Sequence, residues 1–329
     1  MFVLGIDAGG TKTVCLVADE QGRVLGSARG PGANLASLGE LEVEKVLHEV
    51  MEQAMVGQSG VPAVICLGIA GVDRAEDAAI IRSIMRRIGN KAPVLVVNDA
   101  LIALEAGAGD GPGIVLIAGT GSICYGRNER GQAARAGGWG YILADEGSGW
   151  WMGQRAIQAV MRQADGRGPA TSLTSRVLAH FGVTDAALLV FEVYYYDLRR
   201  RLIAGLGPAI QASVDEGDAV AREIVAAKGR VLGEQARVCA TRAGLPLDGA
   251  RVVLTGRVLE HPTPLLADAV MAQLPGAAAV RHGAPPVLGA LLLAFDRIGL
   301  ARDGDAAALA AGLDPERRIR PWVGSPSNA

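Results

Sequence analysis

The feature that most constrains the fold of this chain is a repetition. The opening segment "FVLGIDAGGTKTVCLVADEQGRVLGSARG" can be laid over "GIVLIAGTGSICYGRNERGQAARAGG", which begins at Gly113, with a one-residue gap. Ala8 and Gly9 fall on Ala118 and Gly119, and the turn glycine Gly22 falls on Gly131. Each copy is an apolar run, a glycine knot, a second apolar run and a polar turn, the pattern of an antiparallel meander. After the first copy, helical periodicity in "LGELEVEKVLHEVMEQAM" and "AEDAAIIRSIMRRIG" alternates with the buried strands of "PAVICLGIAGV" and "APVLVVNDALIALEAG". That sequence of elements predicts an α/β domain with a mixed sheet. After the second copy the chain is mostly helical until "RVVLTGRVLEH" supplies another strand and "PPVLGALLLAFDRIG" a last apolar helix. Two related units predict a duplicated fold whose halves face each other across a cleft.

A length of 329 residues also exceeds what one core usually serves. The expected division is a first lobe over 1–112, a second over 113–296, a helix over 297–320 that completes the first lobe, and a tail over 321–329.

Charge narrows the partners. The formal net charge is -2 and acids and bases are interspersed, so there is no electrostatic footprint for nucleic acid or an anionic membrane. Aromatic residues, at 4%, are too few for a base-stacking surface. The densest basic run, Arg199 to Arg201, reads as a solvated helical face. The four cysteines show no metal-ligand spacing and each lies in an apolar segment, which predicts buried, reduced thiols. No apolar run is long enough for a membrane span and the N-terminus opens on a patterned strand, so a cytoplasmic protein is expected.

The glycine knots carry the chemistry. "GIDAGGTK" nearly spells a phosphate loop of the lysine type, but Thr11 separates the last glycine from Lys12 and a strand follows where a helix is required. The dinucleotide spacing is absent too. What remains is a hairpin turn offering the amides of Gly9, Gly10, Thr11 and Lys12 to a phosphate, with Asp7 placed to hold Mg²⁺ through water. "AGTGS" repeats the offer at Gly119, Thr120, Gly121 and Ser122. Two such turns in equivalent places could grip one polyphosphate. A third, "LTGRV", would meet a base or ribose with Gly256 and Arg257.

Asp99, at the end of "PVLVV", reads either as the N-cap of the next helix or as a general base toward an alcohol attacking a γ-phosphate. "GGWGYILADEGSGWWMGQ" reads equally as a sugar site or as helix capping, with Asp145 the best single candidate.

Taken in order, these motifs resemble the superfamily of sugar kinases, Hsp70 and actin, and within it the BadF/BadG/BcrA/BcrD ATPase family, above all its N-acetylglucosamine kinase type. The resemblance runs over nearly the whole chain: "DAGGTKT" and "IAGTGS" as phosphate motifs, "GANL", "AGVDR", "NDA", "GGWGYILADEG", and "LTGRV" as the adenosine motif. It implies a duplicated ribonuclease-H-like, actin-like ATPase fold, two lobes around an interdomain cleft, and ATP with Mg²⁺ as cofactors. It also implies Asp99 as catalytic base, Thr11 and Thr120 at ATP, and Asn34, Gly138, Trp139, Gly140 and Asp145 at an amino sugar. A homodimer follows from the resemblance alone.

One position departs from the pattern. After "GTGS" the mammalian-type kinases carry an asparagine that touches the sugar, and this chain has Ile123. N-acetylglucosamine, glucosamine and N-acetylmuramic acid all stay open as acceptors. The same family includes ATP-driven activators with a dimer-bridging iron–sulfur cluster, a role that needs exposed cysteines. A non-catalytic nucleotide switch is the remaining alternative.

Overall fold

The structure, a computed structural model, describes residues 1–300 apart from 73, 110, 196–199, 257–258, 260–264 and 282–283. The expected helix over 297–320 and tail over 321–329 lie almost wholly outside the described residues. The first half runs β1 (Phe2–Ala8), β2 (Lys12–Asp19), β3 (Val24–Pro31), α1 (Leu35–Ala54), β4 (Ile65–Ile69), α2 (Ala75–Arg87), β5 (Val94–Asn98) and α3 (Asp99–Ala108). The second begins with β6 (Gly113–Ala118), β7 (Ser122–Arg127), β8 (Ala133–Gly137), α4 (Gly149–Ala164), α5 (Leu173–Phe181), α6 (Arg200–Ala204), α7 (Gly207–Asp215) and α8 (Ala219–Ala243). It continues with β9 (Arg251–Thr255), α9 (Leu265–Met271), β10 (Ala278–Arg281) and α10 (Pro286–Arg297). No single helix among the described residues is long and apolar enough to cross a membrane.

Two five-stranded sheets result, ordered β3-β2-β1-β4-β5 and, read in the same sense, β8-β7-β6-β9-β10. In each, the first three strands in sequence pair antiparallel and the last two add in parallel. The repetition in the sequence is therefore a repetition of topology. Its single gap has a location as well: Ala8 pairs with Thr13 across residues 9–12, whereas Ala118 pairs with Ser122 across residues 119–121. The second turn is shorter by the one residue that the alignment skips.

The chain divides into two compact units, Met1–Gly111 with Gly283–Ala329, and Pro112–His282. Both faces of the first sheet are buried. Alternation along β1 sends Leu4 and Ile6 to the core beneath α1 and α2, and Val3 to the core beneath α3 and α10. A second lobe reaching residue 296 is thus not what the structure has: α10 belongs to the first unit, where Val287, Leu288, Leu291 and Phe295 pack with Val3, Val14, Leu16 and Cys66. Gly289 makes this possible, because a Cβ there would lie 1.9 Å from the carbonyl oxygen of Ile102 in α3. The two helices meet backbone to backbone.

The second unit differs by insertion. Where the first has only α1 between its third and fourth strands, the second has α4 to α8, whose apolar faces build its core with the sheet and α9. All four cysteines are buried and unbridged, as their apolar surroundings predict.

Candidate functional site

In the first unit the expected residues gather at the carboxyl ends of the strands, the edge where open α/β sheets bind ligands. The turn after β1 is closed by the Gly9 amide donating to the Lys12 carbonyl at 3.0 Å. Two neighbouring loops are tied to it: Ala33 N–H donates to the Gly9 carbonyl at 3.0 Å, and Ala70 N–H to the Ala8 carbonyl at 2.9 Å. Gly10, Thr11 and Lys12 are exposed. Gly10 is informative because it has no positive φ and a Cβ built on it would meet nothing within 4 Å. Folding does not require glycine there. Without a Cβ, the backbone there is open to close approach.

Asp7 and Asp99 face one another electrostatically across this edge. Asp7, the penultimate residue of β1, lies on the sheet face that carries α3, and Asp99 is the first residue of α3. Between their strands runs β4, which contributes Gly68 opposite Asp7 and so no intervening side chain. Burial, and secondarily the charge of Asp99, push the Asp7 carboxyl up to about 7, with Lys12 acting the other way. Of the two readings of Asp99, the structure removes helix capping. The N-cap of α3 is Asn98, whose Oδ1 accepts from Ala100 N–H at 2.8 Å.

Asn34 is the N-cap of α1, its Oδ1 accepting from Ser37 N–H at 3.1 Å and lying against Gly71. One lone pair of that oxygen serves the helix, leaving its second lone pair and the amide NH₂.

The second unit collects its own set around residues 119–121. Gly149 N–H donates to the Gly119 carbonyl at 2.7 Å, and the Ser122 hydroxyl donates to the Glu146 carbonyl at 2.7 Å. Ser122 is buried, so its side chain holds the loop. Asp145 does the same more strongly. It is the one described non-glycine residue with a positive φ, 61°, and its buried carboxylate accepts from the backbone N–H groups of Ser122 and Gly140. Arg200 stands 3.5 Å away. Burial still wins over these partners and raises its pKa. A Cβ on Gly121 would come within 2.8 Å of the same carboxylate. The third turn joins the second, since a Cβ on Gly256 (φ 104°) would lie 2.3 Å from the carbonyl oxygen of Ala118. Arg257 lies outside the described residues.

The "GGWG" loop presents Trp139, 56% exposed, with Arg135 stacked 4.0 Å from its ring centre. Ile123 lies against Gly138, within 2.8 Å of a Cβ built there, so the departing residue does meet the loop expected at the sugar. Tyr141 anchors the loop edge-on to Trp150 at 5.1 Å and beneath Arg200 at 4.6 Å.

Arg200 departs from the solvated face expected of its run, being about one-third exposed and serving Asp145 and Tyr141, while Arg201 is exposed as expected and Arg199 lies outside the described residues. Neither Arg200 nor Arg135 was legible from spacing. Arg200 reaches its acid across the fold, whereas the stacking of Arg135 on Trp139 depends on the course of the glycine loop between them. Asn98 as cap was legible in principle, being an asparagine just ahead of a helical run.

This duplicated sheet order, with a glycine turn between the first two strands of each unit, is the ribonuclease-H-like fold of actin-like ATPases. The profile of the BadF/BadG/BcrA/BcrD ATPase family matches residues 4–294, and the chain belongs to that family. It is 38% identical over 263 residues to the N-acetylmuramic acid/N-acetylglucosamine kinase of Clostridium acetobutylicum, covering 77% of this chain and 83% of that one. It is 31% identical over 310 residues to the N-acetyl-D-glucosamine kinase of Dictyostelium discoideum, covering 89% and 97%. Among solved structures, the ROK family glucokinase of Streptomyces griseus, in complex with glucose and AMPPNP, shares the fold with a TM-score of 0.58 at 19% identity over 91% of this chain and all of that one.

Proposed function

We propose that this chain transfers the γ-phosphoryl group of ATP to the 6-hydroxyl of an amino sugar, with N-acetylglucosamine the first acceptor to test. The observation that carries the proposal is the Asp7–Asp99 pair beside the open turn at Gly10. A second carboxylate not used as the cap of its own helix, close to a buried acid and to exposed amides, is suited to proton abstraction next to a phosphate. The names of the relatives supply the substrate class.

In the reaction Asp99 accepts the proton of the 6-hydroxyl as its oxygen bonds to the γ-phosphorus. The bond from that phosphorus to the β–γ bridging oxygen breaks, and ADP leaves with the electron pair. Gly9, Gly10, Thr11 and Lys12, with Thr120, Gly121 and the Ser122 backbone, hold the phosphates. Gly256 and Arg257 hold the adenosine. Asn34, Gly138, Trp139, Gly140 and Asp145, with Ile123 beside Gly138, hold the sugar, Asp145 by fixing the loop.

The residues present fit a divalent cation: two carboxylates that repel each other, one raised to about 7, supply hard oxygen donors whose cost a cation relieves. Asp7 would hold Mg²⁺ through water, and Mg²⁺ when bound neutralises charge on the phosphates. All four cysteines are buried, which disfavours the cluster-bearing activator role. The protein is proposed to work as a homodimer, to be measured by light scattering.

ADP release should depend on hexose in a screen of glucose, glucosamine, N-acetylglucosamine, N-acetylmannosamine and N-acetylmuramic acid. No sugar-dependent release with any of them would overturn the kinase reading in favour of a nucleotide switch. Asp99→Asn should lower turnover about 10²- to 10⁴-fold with ATP binding kept. Near-normal turnover would remove Asp99 from the chemistry.

A further inference from the structure

One group in the second unit is left unused by this chemistry. Lys228, in α8, is fully buried, and its Nζ has no hydrogen-bond partner among the described residues. Enclosing an ammonium this way costs several kcal/mol unless something meets the charge. Burial alone pulls its pKa down to about 7, with no carboxylate acting in the other direction. No counter-ion is provided by the described residues.

Helix α8 shows where this side chain stands. Cys239 donates to the Ala134 carbonyl at 3.1 Å and lies against Gly126, which pairs with Ile114 near the start of β6. Gln235, four residues earlier, donates to the Glu146 carbonyl at 3.2 Å and lies against Gly137, which pairs with Ile123 near the turn. Leu232 lies against Gly147, in the loop that clasps residues 119–121. The contacts thus climb toward the carboxyl edge as α8 is followed back to its N-terminus. Lys228 is one turn beyond Leu232 on the same stripe, about 6 Å further, and helical side chains lean in that direction. The flank of the stripe is closed by α9, where Gly229 meets Ala269 and Gly233 meets Val270.

We propose that Lys228 is a cationic contact for the phosphate tail of the nucleotide, so that the charge it lacks arrives with the ligand. Neutral sugar hydroxyls would leave an ammonium unmet; a polyphosphate meets it as a point charge. The inference rests on the kinase reading above and adds a residue to it. It is tested by calorimetric titration of the full-length protein with adenosine, MgADP and MgATP, alongside KM for ATP.

Lys228→Met, which keeps the apolar stem and removes the charge, should weaken MgADP and MgATP about 10- to 100-fold, leave adenosine unchanged, and raise KM for ATP with kcat within about threefold. Lys228→Gln carries the same expectation, so one misfolded variant does not end the test. Unchanged MgADP and MgATP affinities, or an equal loss for all three ligands, would overturn the proposal and make Lys228 a packing residue. Wild-type protein that binds no nucleotide would instead sink the kinase reading.

Discussion

Residues 9–12 and 119–121 close the same strand pair in the two units, and they are held very differently. Among the described residues, the first turn is exposed and tied by backbone bonds to two loops, with Gly32 packed on the Gly10 carbonyl but open space where a side chain on Gly10 would stand. The second is clasped by Asp145, Ser122 and Gly149, and its Gly121 is crowded by the Asp145 carboxylate. Glycine at position 10 leaves the backbone open; glycine at position 121 makes room for packing. Burial also brings an acid of the first unit, Asp7, and a base of the second, Lys228, to the same pKa of about 7 from opposite sides. Duplication has kept the backbone and divided the labour.

The contrast breaks hardest at Asp7. Asp7→Asn should cut turnover at least about 100-fold by removing the carboxylate proposed to hold Mg²⁺, while stabilising the fold. Folded Asp7 keeps its proton to about 7, and the unfolded chain releases it near 3.8, so stability falls as pH rises through that window and stays low above it. The variant should melt with wild type near pH 4 and above it at pH 8, by about 2–4 kcal/mol. Equal melting at pH 8 would refute the cost assigned to this acid.

Asp145→Ala leaves two amides and Arg200 without their acceptor. It should destabilise by about 2–4 kcal/mol in denaturant titration. The glycines come next. Gly121→Ala should cost about 1–3 kcal/mol, whereas Gly10→Ala should leave melting unchanged and raise KM for ATP about tenfold. If both behave alike, the two turns are not differently built. Ile123→Asn should have the smallest effect, re-ranking kcat/KM among amino sugars by about 3- to 10-fold; an unaltered ranking would place Ile123 away from the acceptor.

Strands, turns and the duplication were legible because each rests on local periodicity and on glycines at fixed offsets. Asp7 and Asp99 were legible as strand-end carboxylates, but not as a pair, since their proximity depends on β4 running between them with Gly68 at the crossing. Asp145 was picked out as a carboxylate for sugar, yet its structural duty toward Ser122 and Gly140 is a tertiary fact that spacing cannot carry. The burial of Lys228 was invisible, because a lysine in an amphipathic helix reads as solvated until its face is known.

The placement of α10 bears on synthesis. The second unit is contiguous from Pro112 to His282, but the first lacks one cover of its sheet until residues 286–297 have been made. Val3, Leu16 and Cys66, emerging early from the ribosome, must wait through the translation of the whole second unit for Leu288 and Leu291. The N-terminal half is thus the last to be finished, and a truncation just before residue 286 would strand an open apolar face on otherwise complete chains.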